Sequence, residues 1–161
     1  MKKIYTIGYN SRGFDSFLRI LAYYGIKIVI DVRRFPKSRI EYYSRDFLEE
    51  NLPKHSVEYF WLGDKLGGFR GDYIEYMKTP SFREGIKHLI EIVENGYSRN
   101  VFSVIMCREM LPWHCHRRFI AATLYSLGYR IVHIIDKGNT IEQRYGLEKY
   151  GLDLKDLFPN H

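Results

Sequence analysis

The sequence predicts a three-layer α/β domain on a mostly parallel, five-stranded sheet, and three observations carry that expectation. Short apolar, β-rich runs alternate with segments of helical periodicity along most of the 161 residues. The first of them close as a strand, a helix stopped by Gly25 and a second strand, a βαβ unit whose strands run parallel with a right-handed crossover. The run VFSVIMC at 101–107 is apolar at nearly every position, as a central parallel strand covered on both faces must be.

Ile4–Gly8 (IYTIG) reads as a buried strand, and Asn10–Gly13 as a loop with capping residues. From Phe14 to Tyr24, apolar residues at Phe14, Phe17, Leu18, Leu21 and Ala22 fall on one helical face. Gly25 stops that helix, and Ile26–Val32 is the second strand. Phe35-Pro36 breaks the chain. Ser44 caps a short helix, Arg45–Leu52, which Pro53 ends. Val57–Leu62 is the third strand, Gly63–Gly68 a flexible loop and Tyr73–Met77 a helical turn. Ser81 caps a helix over Phe82–Glu94, which Asn95-Gly96 ends. Val101–Cys107 is the fourth strand. A helix runs from His114 or Cys115 to Leu127, closed by Gly128, and Arg130–Ile135 is the fifth strand. Thr140–Gly146 and Asp153–Phe158 read as helical pieces. Residues 1–161 thus form one domain, with a core over 4–135 and a helical extension over 140–161. The commonest doubly wound pattern predicts the strand order 3-2-1-4-5.

Hydrophobic residues make up 45% of the chain, enough for a core without disulfide staples. No run approaches the ~20 apolar residues of a membrane span. The start, MKKIYTIGYN, lacks the continuous apolar stretch of a signal peptide, so the expected setting is cytoplasmic, with no membrane partner. Two cysteines exclude a disulfide-dense secreted scaffold. The Ile, Tyr, Lys, Arg and Glu content, with a single Gln at 143, leans towards a thermophilic source. A net charge of +6 suits polyanionic partners, nucleic acid or nucleotides above all, and equally a generally basic surface. Neither G-x4-G-K-[ST] nor G-x-G-x-x-G occurs, which argues against a P-loop NTPase and a typical dinucleotide cofactor.

The chemistry gathers in CREMLPWHCHRR at 107–118, which holds both cysteines, two histidines, three arginines and a carboxylate. In open α/β sheets ligands bind beyond the carboxyl ends of the strands, where strand order reverses. The residues expected there are Tyr9, Asn10 and Ser11 after strand one, Asp31, Arg33 and Arg34 after strand two, and Cys107, Arg108 and Glu109 after strand four. A helix starting at His114-Cys115-His116-Arg117 would present free N–H groups and positive charge to a phosphate or carboxylate. Arg33, Arg34, Lys37 and Arg39, with Ser38 among them, would grip phosphates; the alternatives are a solvated run and internal pairing with Asp31 and Glu109. Cys115 in the first helical turn would have a lowered pKa, and Cys107 at a strand end would be placed as a nucleophile, unless both simply pack. Glu109, Asp31 and His116 are the candidate proton carriers, with a salt bridge the default role of Asp31. Cys107, Glu109, Cys115 and His114 or His116 could together hold zinc, although C-x-E-x5-C-H is no standard zinc spacing. The aromatic residues interleaved with basic ones suit core packing or stacking on unpaired bases.

TIGYN-S at 6–11, DVRRFPKSR at 31–39, LGG at 66–68, and C-x-E with C-H-R at 107–117 resemble the DUF488 family, a domain of unknown function. The resemblance runs from about residue 4 to residue 135. It implies a Rossmann-like domain with a site on these motifs, and brings no reaction with it. Tyr9 stands where members of that family usually carry histidine, and a phenol is a poor proton carrier at neutral pH. Together these features predict an enzyme acting on a phosphorylated or nucleic-acid-derived substrate at the carboxyl edge of the sheet. The alternative is a non-catalytic nucleic-acid-binding module clasped by its Cys/Glu/His/Arg motif.

Overall fold

Residues 1–160 are described by a computed structural model. The apolar runs form strands β1 (Lys3–Gly8), β2 (Ile26–Asp31), β3 (Glu58–Trp61), β4 (Phe102–Cys107) and β5 (Arg130–Asp136), all parallel. A sixth strand, β6 (Asn139–Glu142), pairs antiparallel with β5. The sheet therefore has six strands, not the expected five. Thr140–Gly146 is not helical because a two-residue turn, with Gly138 at φ 70°, folds Thr140 and Ile141 back onto Ile134 and His133.

The strand order is β3-β2-β4-β1-β5-β6. β4 lies between β2 and β1, which corrects the expected 3-2-1-4-5. Apolarity does not distinguish these strands, since β1 and β4 are buried at five of six positions and so is β2, so their pattern carries no record of which is neighbour to which. The consequence for ligand binding is unchanged. The chain leaves β1 through α1 (Phe14–Tyr23) towards β2, and a later crossover carries it from β4 towards β5, in opposite directions over adjacent strands. The crevice that such a reversal creates opens at the carboxyl ends of β1 and β4.

Helices cover both faces. On one, Phe17, Ile20 and Leu21 of α1 and Leu48 of α2 (Arg45–Asn51) pack against Tyr5, Ile7, Val29 and Val104. Next come α3 (Gly63–Leu66), α4 (Tyr73–Met77), α5 (Pro80–Ser98) and α6 (Arg117–Ser126), whose Leu66, Met77, Leu89 and Ile120 pack with Ile4, Ile28 and Ile105 on the other face. The final helix, α7 (Leu154–Leu157), adds Leu157 to that second cluster. Each such aliphatic side chain stabilises the fold by about 1.5–3 kcal/mol relative to exposure.

Three expected boundaries move. Gly63–Leu66 is a helical turn and not a flexible loop, because Leu62 and Leu66 anchor it in the core. The long helix begins at Pro80, capped by Thr79 Oγ1 on the Phe82 N–H, and continues through Asn95-Gly96 to Ser98. Gly96 lies inside because α5 comes so close to the sheet that a Cβ there would meet Ile28 Cδ1 at 2.8 Å. No helix among the described residues is long and apolar enough to cross a membrane.

Candidate active site

The carboxyl ends of β1 and β4 are drawn together beyond the last strand pair, Gly8 with Cys107. Tyr9 N–H donates to Cys107 O at 3.0 Å, and Asn10 N–H donates to Arg108 O at 2.9 Å. The approach requires glycine at position 8: a Cβ there would lie 1.8 Å from Glu109 O. Past this junction the chain turns away and leaves a cavity of about 350 Å³, walled by Tyr9, Arg33, Arg34, Cys107, Glu109, Cys115 and His116 among others.

At its floor are two free thiols, with Cys107 Sγ and Cys115 Sγ 2.8 Å apart. They are unequal. Burial pushes the Cys107 thiol well above the ordinary range, and its hydrogen bond to Cys115 adds to that. Cys115 moves the other way, down to about 7, chiefly by accepting that hydrogen bond and, against its own burial, by the charge and backbone N–H of Arg117. Of the two, Cys115 is the thiol that ionises more readily.

The expected helix start is corrected. Pro112 opens a 3-10 turn over Pro112–His114, Cys115 is extended (φ −146°, ψ 171°), and α6 begins at Arg117 with His116 as its N-cap. Cys115 is not in the first helical turn. Its sulfur still receives the Arg117 N–H at 3.3 Å, so the first N–H of α6 is directed at the thiol pair. Arg117 itself is fully buried behind the thiols. Nη1 reaches Cys107 Sγ at 3.4 Å, Nη2 reaches Met110 O at 3.3 Å, and Nε has no partner. A buried guanidinium without a carboxylate partner is costly, and the anion nearest to hand is the thiolate.

His116 Nε2 lies 2.9 Å from Val32 O, and a carbonyl can only accept, so Nε2 carries the proton. Burial, with the arginines nearby, lowers its pKa to about 4, and it is neutral at pH 7. Asp31 is fully buried and does not line the cavity. Arg33 Nε and Nη2 donate to its two oxygens at 2.9 and 2.7 Å, and the Arg33 N–H and Tyr59 hydroxyl also donate to it. With four donors on it, Asp31 positions Arg33 and is not poised to move a proton. Burial alone would lower the Arg33 pKa, but the Asp31 hydrogen bonds and charge outweigh it and raise it. The guanidinium then lies over the Tyr9 ring at 5.0 Å, with Nη1 unpartnered. Tyr9 is buried and stacks on Tyr43 at 4.3 Å, so its ring forms a wall of the cavity.

The family model described as domain of unknown function DUF488 matches in two overlapping stretches, residues 13–71 and 63–124. The chain belongs to the DUF488 family. Searches of curated proteins and of solved structures return no match.

In this DUF488 chain the predicted residues fall into three groups. Tyr9, Arg33, Arg34, Cys107, Glu109, Cys115 and His116 share the main cavity. Asn10, Ser38 and Arg39 line a neighbouring cavity of about 560 Å³, which shares Tyr9, Lys37 and Arg108 with the first. Arg117 and Asp31 lie behind the walls, and Ser11, at φ 64°, is an exposed turn residue outside both. The zinc grouping does not form: among the described residues no three of His, Cys, Asp and Glu gather to hold an ion. His116 is directed at Val32 O, and Glu109 faces Arg108 at 3.6 Å. Arg108, expected beyond β4, lines the cavity too, while Phe35 and Phe69 line it and were not expected as site residues. Their one signal was position: Phe35 before Pro36 and Phe69 after Gly67-Gly68 are large apolar residues in turns, where no core face can take them.

Proposed function

We propose that this chain is a thiol-dependent enzyme that binds a phosphorylated or nucleic-acid-derived substrate in the cavity at the carboxyl ends of β1, β2 and β4. The unequal thiol pair in front of a buried guanidinium carries this reading: both sulfurs sit at the edge of the core, and both line the cavity. A charge held away from water acts far more strongly than one at the surface, so Arg117 favours the Cys115 thiolate and any negative charge that develops beside it. Cys115 Sγ attacks the electrophilic centre, the displaced group leaves with its bonding electrons, and the Cys107 S–H supplies a proton. Arg33, Arg34 and Lys37 receive the anionic part of the substrate. Arg33 lines the cavity, and Asp31 fixes its Nε and Nη2 so that the guanidinium keeps its place in the wall.

The test is alkylation by iodoacetamide, read at each cysteine by peptide mass. Cys115 should react with a midpoint of about 7, and pyrophosphate or a mononucleotide should protect it. A Cys115 that reacts only above the ordinary thiol range, or that no anion protects, overturns the reading. Oligonucleotide binding with an inert Cys115 would favour the non-catalytic nucleic-acid-binding module, to which the +6 charge also points.

A further inference from the structure

Two phenylalanines stand in water at the rim of the cavity. Phe69 is 84% exposed and Phe35 is 61% exposed, with ring centroids 5.8 Å apart and planes at 45°. Phe69 holds this place from φ 59°, in the left-handed region that a side chain with a Cβ disfavours. No core packing compensates, since neither ring belongs to the hydrophobic clusters. Arg34 ties the pair together. Its Nη1 donates to Phe69 O, and its guanidinium lies 5.3 Å from the centre of the Phe35 ring. A strained, exposed aromatic pair braced by an arginine offers flat apolar faces at the mouth of a basic hollow.

The two cavities adjoin, sharing Tyr9, Lys37 and Arg108, and Arg39 lines the second. Glu109 is the carboxylate among the residues lining the first cavity, and Arg108 faces it at 3.6 Å; none lines the second. Stacking faces followed by a row of cations match a chain of bases joined by phosphates. Only an unpaired base presents both faces to such rings.

We propose that this groove binds single-stranded nucleic acid, with an unpaired base on Phe35 and Phe69 and the following phosphates on Lys37, Arg108 and Arg39. The proposal deepens the substrate class given above and rests on that reading for what Cys115 does. The binding itself does not depend on the thiol.

The test is fluorescence anisotropy with labelled oligothymidylate and oligouridylate of about ten nucleotides, a hairpin duplex, and unlabelled mononucleotide and pyrophosphate as competitors. Binding of either single strand in preference to the duplex supports the proposal. Phe69→Gly should weaken single-strand binding roughly tenfold or more, whatever the base, by removing a stacking face. The same variant should melt no lower than the parent, because glycine relieves the φ 59° strain. The double variant Lys37→Ala/Arg39→Ala should lower the slope of log affinity against log salt by about 1.4, which is two single-strand phosphate contacts. Equal affinity for the duplex, competition by mononucleotide at the oligomer's own affinity, or full binding by Phe69→Gly overturns it. If no oligonucleotide binds while Cys115 still alkylates near pH 7 under pyrophosphate protection, the nucleic-acid proposal falls alone. If oligonucleotides bind and Cys115 is inert, the thiol reading falls alone.

Discussion

Replacing Cys107 by alanine is the most direct way to read the thiol pair. The substitution removes the S–H that is the largest influence on Cys115, and leaves Arg117 in place. With that donor gone, burial opposes the guanidinium, and the Cys115 pKa returns from about 7 towards the ordinary 9.0. At pH 7 the thiolate fraction then falls from about one half to roughly one hundredth. Reactivity falls by less, because a more basic thiolate is a better nucleophile; a Brønsted slope of about 0.4–0.5 returns roughly six- to tenfold of the loss. The expected alkylation rate at pH 7 is therefore roughly five- to eightfold slower in Cys107→Ala. Above about pH 8 the order reverses and the variant becomes faster. The assay is the second-order rate of iodoacetamide addition to the Cys115 peptide from pH 5 to 10. Two rate profiles that superimpose, or a parent midpoint already near 9, would refute the reasoning from the hydrogen bond.

Three further outcomes follow from the same geometry. His133 is buried, with Nδ1 2.6 Å from Thr6 Oγ1 and Nε2 2.6 Å from Gln143 Oε1, and burial lowers its pKa to about 4. The unfolded chain binds the proton first, so its stability is fully present above pH 6.5 and is lost as pH falls towards 4, by about 3 kcal/mol in all; urea titrations of His133→Gln should show a shallower fall over that range than the parent. Asp31→Asn removes the charge that balances the buried Arg33 and should cost about 3–5 kcal/mol in urea unfolding, far more than any exposed pair such as Arg45–Glu49. Gly8→Ala forces a Cβ onto Glu109 O, and should lower the melting temperature and spoil the Cys115 midpoint together, because one backbone junction supports both.

The fold was legible where burial writes itself into composition. IKIVID and FSVIMC can only be strands covered on both faces, and the stripe of Phe17 and Leu21 gives α1 its inward side. Loops that follow such strands meet at one edge, which is why Tyr9, Arg33, Cys107 and Cys115 could be grouped without coordinates. Strand order was not legible, because β1, β2 and β4 are equally apolar. Nor was the segment at 139–142, whose strand character comes from pairing with β5 more than from its own pattern. The start of α6 was shifted by Pro112, which tightens the chain into a 3-10 turn and sends Cys115 through an extended step first. The place of Arg117 was not legible: the sequence leaves open whether it faces an external anion or the interior, and only its packing behind two sulfurs shows that it is fully buried. Of the rim phenylalanines, Phe35 read as part of a chain break with Pro36, and Phe69 lay beyond the glycine loop, outside every predicted element.

The position of β4 also sets the order in which the polypeptide can fold as it is made. β1 pairs only with β4 and β5, so the first strand synthesised has no neighbour until residues beyond 101 emerge. β2 and β3 can zip together early, and β4, once made, wedges between β2 and β1 and joins the two halves. Chains interrupted before that point carry an orphaned ladder edge on β1 and another on β2, which are natural sticking points for other nascent chains.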